Sequence, residues 1–258
     1  MTPLHRSLEV RFIGERGAGV ELDALAVYVR AVSGAAVSFG DDPLAGSADA
    51  LAERLARLRV SEPEVREQDD PMPVELDHER RVLRGQAPTP RGIPYDGWGF
   101  QSLLRERVPG SPAAIMLFMT PRLLATWDDG DARYHLRTVV LGHPVVISVP
   151  GLVEAPAKPR EFYLIKQAVG GDPVALALAK QKLQGRFLEH GDPRLTEVLQ
   201  GYCLQGVAYA VTGEPFCRAP ECRLYNAHWQ EEMLRAQLQP PDLCAHHAEV
   251  FARLRAGP

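Results

Sequence analysis

The sequence predicts a mixed α/β (α+β) fold, a mixed sheet with packed helices, ending in a tail rich in cysteine and histidine. Three observations predict it. A strand pattern, a helical stripe and a second strand pattern follow one another near the N-terminus. The run 113–119 is apolar at every position, as a central strand covered on both faces requires. A long helical stripe then delivers the chain directly into Cys217.

Residues 8–13 alternate through Leu8, Val10 and Phe12 and read as a first strand, closed by Gly14, Gly17 and Gly19. Leu22, Leu25, Ala26, Val29 and Val32 share one helical face, and Gly34 stops that helix. A second strand over 36–39 then lies parallel to the first through a right-handed crossover. The glycines between strand and helix match neither the dinucleotide fingerprint nor the phosphate loop, since no Lys-Ser/Thr pair follows them. An amphipathic helix over 49–60 carries Leu51, Leu55 and Leu58. The prolines and acids of 61–94 predict an excursion or a poorly ordered loop within the domain.

A short helix over 99–108 leads to the apolar strand, and two more strands over 133–141 and 145–149 join at Gly142-His143-Pro144. Strand side chains alternate, so Arg133, His135 and Arg137 fall on one face. The proline-rich stretch 151–161 reads as a stiff charged loop, followed by a helix over 162–169. Asp192 as N-cap and Pro193 at the first helical position open the long helix, which runs through Leu195, Val198, Tyr202, Gly206 and Ala210 to Gly213. Asn226 caps a last helix over 227–238, which Pro240-Pro241 ends. Residues 1–213 form the main domain, and 214–258 a segment packed on it.

That segment carries the clearest motif. Cys217-x4-Cys222 is completed at a distance by Cys244-x2-His247, four donors of the kind a tetrahedral structural Zn2+ takes. His246 is the alternative fourth ligand; the two-residue gap favours His247. One structural zinc is expected, clasping the tail locally. Cys203, the remaining cysteine, lies on the apolar side of the long helix as a small core residue.

Composition narrows the class. Of 258 residues 45% are hydrophobic and 24% charged, as in an ordinary globular protein. The net charge of −4 speaks against a general attraction to nucleic acid, and the three tryptophans are too scattered for a stacking platform. No apolar run is long enough to span a bilayer, and the first residues lack an apolar leader. A cytoplasmic protein is expected, its thiols reduced or metal-bound.

The long helix, its closing glycine and the Cys-x4-Cys followed by a two-residue-spaced pair resemble the C-terminal half of archaemetzincins, whose pattern is His-Glu-x-x-His-x-x-Gly-x-x-His-Cys-x4-Cys-x-Met-x17-Cys-x-x-Cys. With Cys217 and Gly213 aligned, nineteen residues rather than seventeen separate Leu224 from Cys244, and His247 replaces the last cysteine. Residues 133–135, 153–161 and 226–230 further resemble an uncharacterised family labelled as metallopeptidases, over nearly all of the chain from Leu8 onward. The resemblance implies a metzincin-like fold. It also implies that the catalytic histidines fall at Gly206, Ala210 and Phe216, the general base at Val207 and the turn methionine at Leu224. Those side chains can neither hold a zinc-bound water nor take its proton.

Two readings follow. In the first, the chain is a zinc-binding metzincin-like protein without peptidase chemistry, a pseudoenzyme binding a protein or peptide partner through a small-residue groove at Gly206, Ala210 and Gly213. In the second it is a hydrolase, a divergent peptidase or another kind, with a relocated polar site built from Arg133, His135, Glu154, Lys158, Arg160 and Glu161. His228, three residues before Glu231, is a further candidate base or ligand.

Overall fold

The computed structural model describes residues 8–256 apart from 16–17, 46–48, 109–113 and 171; residues 1–7, where no leader is expected, Gly17 and Ala113 lie outside the described residues. Strand β1 (Glu9–Gly14) sends Val10 and Phe12 into the core, and helix α1 (Leu22–Ser33) follows. The helix ends where Gly34 turns left-handed and its N–H donates to the Arg30 carbonyl. β2 (Ala36–Gly40) then pairs parallel to β1. Helix α2 (Asp49–Arg57) buries Leu51 and Leu55 as the periodicity requires.

The excursion expected over 61–94 contains a helix, α3 (Pro73–Leu83), opened by Pro73 at its start. The cause lies outside the segment. Glu79 of α3 is fully buried and accepts hydrogen bonds from Arg59 and Arg122 at 2.7–2.9 Å and from the Tyr95 hydroxyl. Arg122 also donates to Glu15 at 2.9 Å, so two guanidinium and two carboxylate groups neutralise one another away from water. In the sequence these charges look like surface residues.

After β3 (Tyr95–Asp96), the Asp96 carboxylate accepts the Gly99 N–H and caps α4 (Gly97–Arg107). The apolar strand is β4 (Ala114–Thr120), paired parallel on both sides in the sheet order β2-β1-β4-β8-β7. A strand unforeseen in the sequence, β5 (Leu124–Asp128), starts a second small sheet, β3-β5-β6.

The expected strand 133–141 breaks at Thr138. Its first part, β6 (Arg133–Arg137), joins the small sheet, and its second, β7 (Val139–Val140), pairs antiparallel with β8 (Val145–Ser148). The charged loop holds one helical turn, α5 (Gly151–Glu154), before α6 (Arg160–Ala168) and α7 (Pro173–Lys182).

The long helix α8 (Leu195–Thr212) begins two residues later than Asp192-Pro193 predicts, because the Asp192 carboxylate is taken by Arg194 in a turn that precedes it. It ends at left-handed Gly213. Residues 195–208 are buried on almost every face, as befits a helix enclosed on all sides. The next helix, α9 (Gln230–Leu238), starts later than Asn226 predicts, since the Glu232 carboxylate accepts the N–H groups of His228 and Trp229 and sets the start there. A further helix, α10 (Ala245–Ala256), carries the metal motif's end. Phe251 of α10, Met233 of α9, Cys222 and Leu224 share one apolar core with α1, α8 and the sheet.

Truncating one partner of the buried charge set strands the others. Arg122→Leu should therefore lower unfolding free energy by about 3–5 kcal/mol, read from denaturant midpoints. Burial alone would raise the Glu79 carboxyl, but Arg122, Tyr95 and Arg59 outweigh burial and hold it below the ordinary carboxylate range. Its contribution is thus present above that range and lost as the pH falls through the lowered value. Stability profiles should show a shallower acid limb in Glu79→Gln than in the parent chain.

Candidate metal centre and cleft

Two sites flank the C-terminal end of α8. In the first, one donor atom each from Cys217, Cys222, Cys244 and His247 lies within 4.8 Å of every other. The Cys217 and Cys244 sulfurs are 3.8 Å apart, and His247 Nδ1 stands 3.2 Å from Cys244 and 3.7 Å from Cys222. A tetrahedron with zinc–sulfur bonds of about 2.3 Å has edges of about 3.8 Å, slightly shorter where nitrogen replaces sulfur. The donor set therefore fits an ion of that size. His247, not His246, points into it; the His246 ring packs edge-on against its neighbour.

Backbone geometry builds the set. The Cys217 N–H donates to the Leu224 carbonyl, and the Ala219 N–H points at the Cys217 sulfur, folding 217–224 into a knuckle. Cys244 immediately precedes α10, its carbonyl accepting the Ala248 N–H. Burial pushes the Cys222 thiol up to about 12 and also raises Cys217, while it lowers His247. Without a cation burial keeps the Cys217 and Cys222 thiols protonated, so loading a metal there releases protons.

The second site is a cleft of about 320 Å³ between α8, the β6–β7 edge and the segment before α9. Tyr202 and Gln205 of α8, Arg137 and Thr138 of the strand, and Tyr225, Asn226 and His228 line it, with Trp98 and Phe216 exposed beside them. Gln205 is buried and donates to the Tyr225 carbonyl at 3.3 Å.

The other predicted residues divide among separate partners. Arg133 faces Glu64 at 3.7 Å, and His135 meets Asp131 at 2.8 Å. Glu154 and Lys158 come within 3.9 Å, with His190 at 3.0 Å from the same carboxylate. Glu161 is held by Arg186, which also binds Glu231, and Arg160 stacks over Trp229. His228 reaches the cleft without any of them.

The groove expected at Gly206 is filled. A Cβ there would stand 2.9 Å from Leu117 Cδ2 and 3.0 Å from Val145 Cγ1, because this face of α8 lies on the central sheet. Ala210 and Gly213 line a different, open depression with Leu8 and His143. Spacing along α8 could have suggested Tyr202 and Gln205 together, but nothing in the sequence says which face of an enclosed helix borders a cavity.

The fold has counterparts among solved structures. An archaemetzincin from Methanopyrus kandleri shares it over 98% of both chains, at 14% identity and a TM-score of 0.50. A zinc-dependent peptidase from Methanocorpusculum labreanum matches 95% of this chain and 100% of its own at 16% identity, with a TM-score of 0.42. The chain itself belongs to a family of unknown function, DUF7001, matched over residues 15–250. No curated protein is significantly similar in sequence. Among the described residues, no helix is long and apolar enough to cross a membrane.

Because Gly206 touches the sheet, Gly206→Ala should destabilise the protein by about 1–3 kcal/mol through overpacking. Equilibrium unfolding would show that loss, and sedimentation would show an unchanged oligomeric state.

Proposed function

We propose that this chain is a zinc-clasped, metzincin-like binding protein without peptidase chemistry, whose ligand enters the cleft beside α8. The observation that carries the reading is the composition of that cleft. A zinc hydrolase needs three protein ligands and a base around one water. Here the lining offers one histidine, His228, and no carboxylate among the described residues. Tyr202, Gln205 and Phe216 occupy the α8 side. The archaemetzincin-like pattern, aligned on Gly213 and Cys217, agrees, since it puts Gly206, Ala210 and Phe216 where ligands would be needed.

In this reading the one zinc sits among Cys217, Cys222, Cys244 and His247 and does structural work. With four protein donors, its coordination sphere is closed and leaves no position for a reacting water. The residues around the cleft bind rather than cleave: Arg137, Asn226 and His228 supply polar contacts, and Trp98 and Phe216 supply apolar surface. A protein or peptide partner is the expected ligand source, in a cytoplasmic setting where thiolates remain available to the metal.

Elemental analysis of the purified chain tests the metal assignment. One zinc per chain is expected, dropping towards none in Cys222→Ser, together with a lower melting temperature. A second zinc per chain would overturn the single-site reading. Incubation with a mixed peptide library should leave every peptide intact; cleavage abolished by a chelator would revive the hydrolase.

A further inference from the structure

The cleft beside α8 has a chemical bias that binding in general does not require. Its ionisable lining groups, tyrosines aside, are Arg137 and His228, with no carboxylate among the described residues to balance them. Arg137 is half-buried on β6. Its Nε donates to the Thr126 hydroxyl at 2.8 Å, which orients the guanidinium, and among the described residues it forms no ion pair. Asp128 feels Arg137 through space without reaching it. Most other buried or half-buried arginines in this chain are treated differently: Arg59, Arg122, Arg194 and Arg223 all meet carboxylates.

A second observation stands apart from charge. Gln205 is 1% exposed and lines the same cleft, and its Oε1 accepts no hydrogen bond from the described residues. A buried acceptor left unmade costs free energy, so a ligand that donates to it gains more than it would in water. Trp98 and Phe216 are exposed aromatic side chains at the same cavity. At about 320 Å³ the space suits a small molecule or the end of a chain and not a folded surface.

We propose that the cleft is a recognition site for a small anionic ligand: an oxyanion paired with Arg137, an N–H or O–H donated to Gln205 Oε1, and an apolar body against Trp98 and Phe216. This rests on the cleft being a binding site, as argued above, and adds which chemistry it selects. A planar carboxylate matches the guanidinium fork through two parallel hydrogen bonds; a phosphate offers the same acceptors with more charge.

N-acetyl-phenylalanine carries a carboxylate, an N–H and a ring, and N-acetyl-phenylalaninamide replaces the carboxylate with a neutral carboxamide of similar size. Calorimetric titration of the full chain with both should show the acid binding at least about tenfold tighter, the span of one charge-assisted hydrogen bond. The preference should disappear in Arg137→Gln, with Arg137→Lys restoring part of it, and Gln205→Met should weaken both ligands. Phenyl phosphate, run beside them, identifies the oxyanion: tighter binding than the acid, lost in Arg137→Gln, assigns the site to phosphate esters.

Equal affinity of acid and amide would overturn the anion assignment while leaving a binding cleft. Failure of all three probes to bind would overturn the cleft itself. The comparison within the unmutated chain keeps the outcome clear of any folding defect in the variants.

Discussion

A guanidinium with no exposed surface holds together three segments that are far apart in the sequence. Arg122 follows the end of β4, reaches Glu15 after β1 and Glu79 of α3, and lies over the Tyr95 ring at 4.8 Å. Ser148 at the end of β8 donates to its carbonyl. Removing such charges from water is expensive, and their mutual attraction repays this only when the hydrogen bonds are nearly complete. Arg59 supplies the second cation, so the set is neutral as a whole. Its members consequently order together, and the proline-rich excursion becomes a packed layer.

This has a consequence for where a ligand can sit. Open parallel sheets usually bind ligands at the carboxyl ends of their strands. Here the ends of β1 and β4 are occupied by Glu15, Thr120 and Arg122, bonded to one another. The cleft lies instead across the sheet edge, where β6 leaves one sheet and β7 joins the other. Thr138, at the break, accepts the Ser148 N–H through its carbonyl and donates through its hydroxyl to the Gly151 carbonyl. That break places Arg137 at the cleft.

Apolar packing holds the tail to the main body beside the four Cys and His donors. Leu224 and Phe251 are completely buried in the main core, and Arg255 donates to the Val32 carbonyl at the end of α1. Packing brings the segments near, while a metal would lock the knuckle of 217–224 to the first turn of α10. Four donors drawn from two segments would, once bridged by an ion, cross-link a loop otherwise free to open, a local effect in a chain of this size.

By itself the sequence determined the elements whose signals are local. The β1-α1-β2 unit, the apolar β4 and the Cys/His spacing could be read because periodicity, glycine stops and ligand chemistry act over a few residues. The cause of α3, the existence of β5 and the face of α8 that borders a cavity were decided only by tertiary structure. Glu79 and Arg122 resemble surface charges until they are seen paired, and a helix covered on every side has no stripe to orient it. Gly206 shows the difference most plainly: its small size reads as an opening, but Leu117 and Val145 had already filled that space.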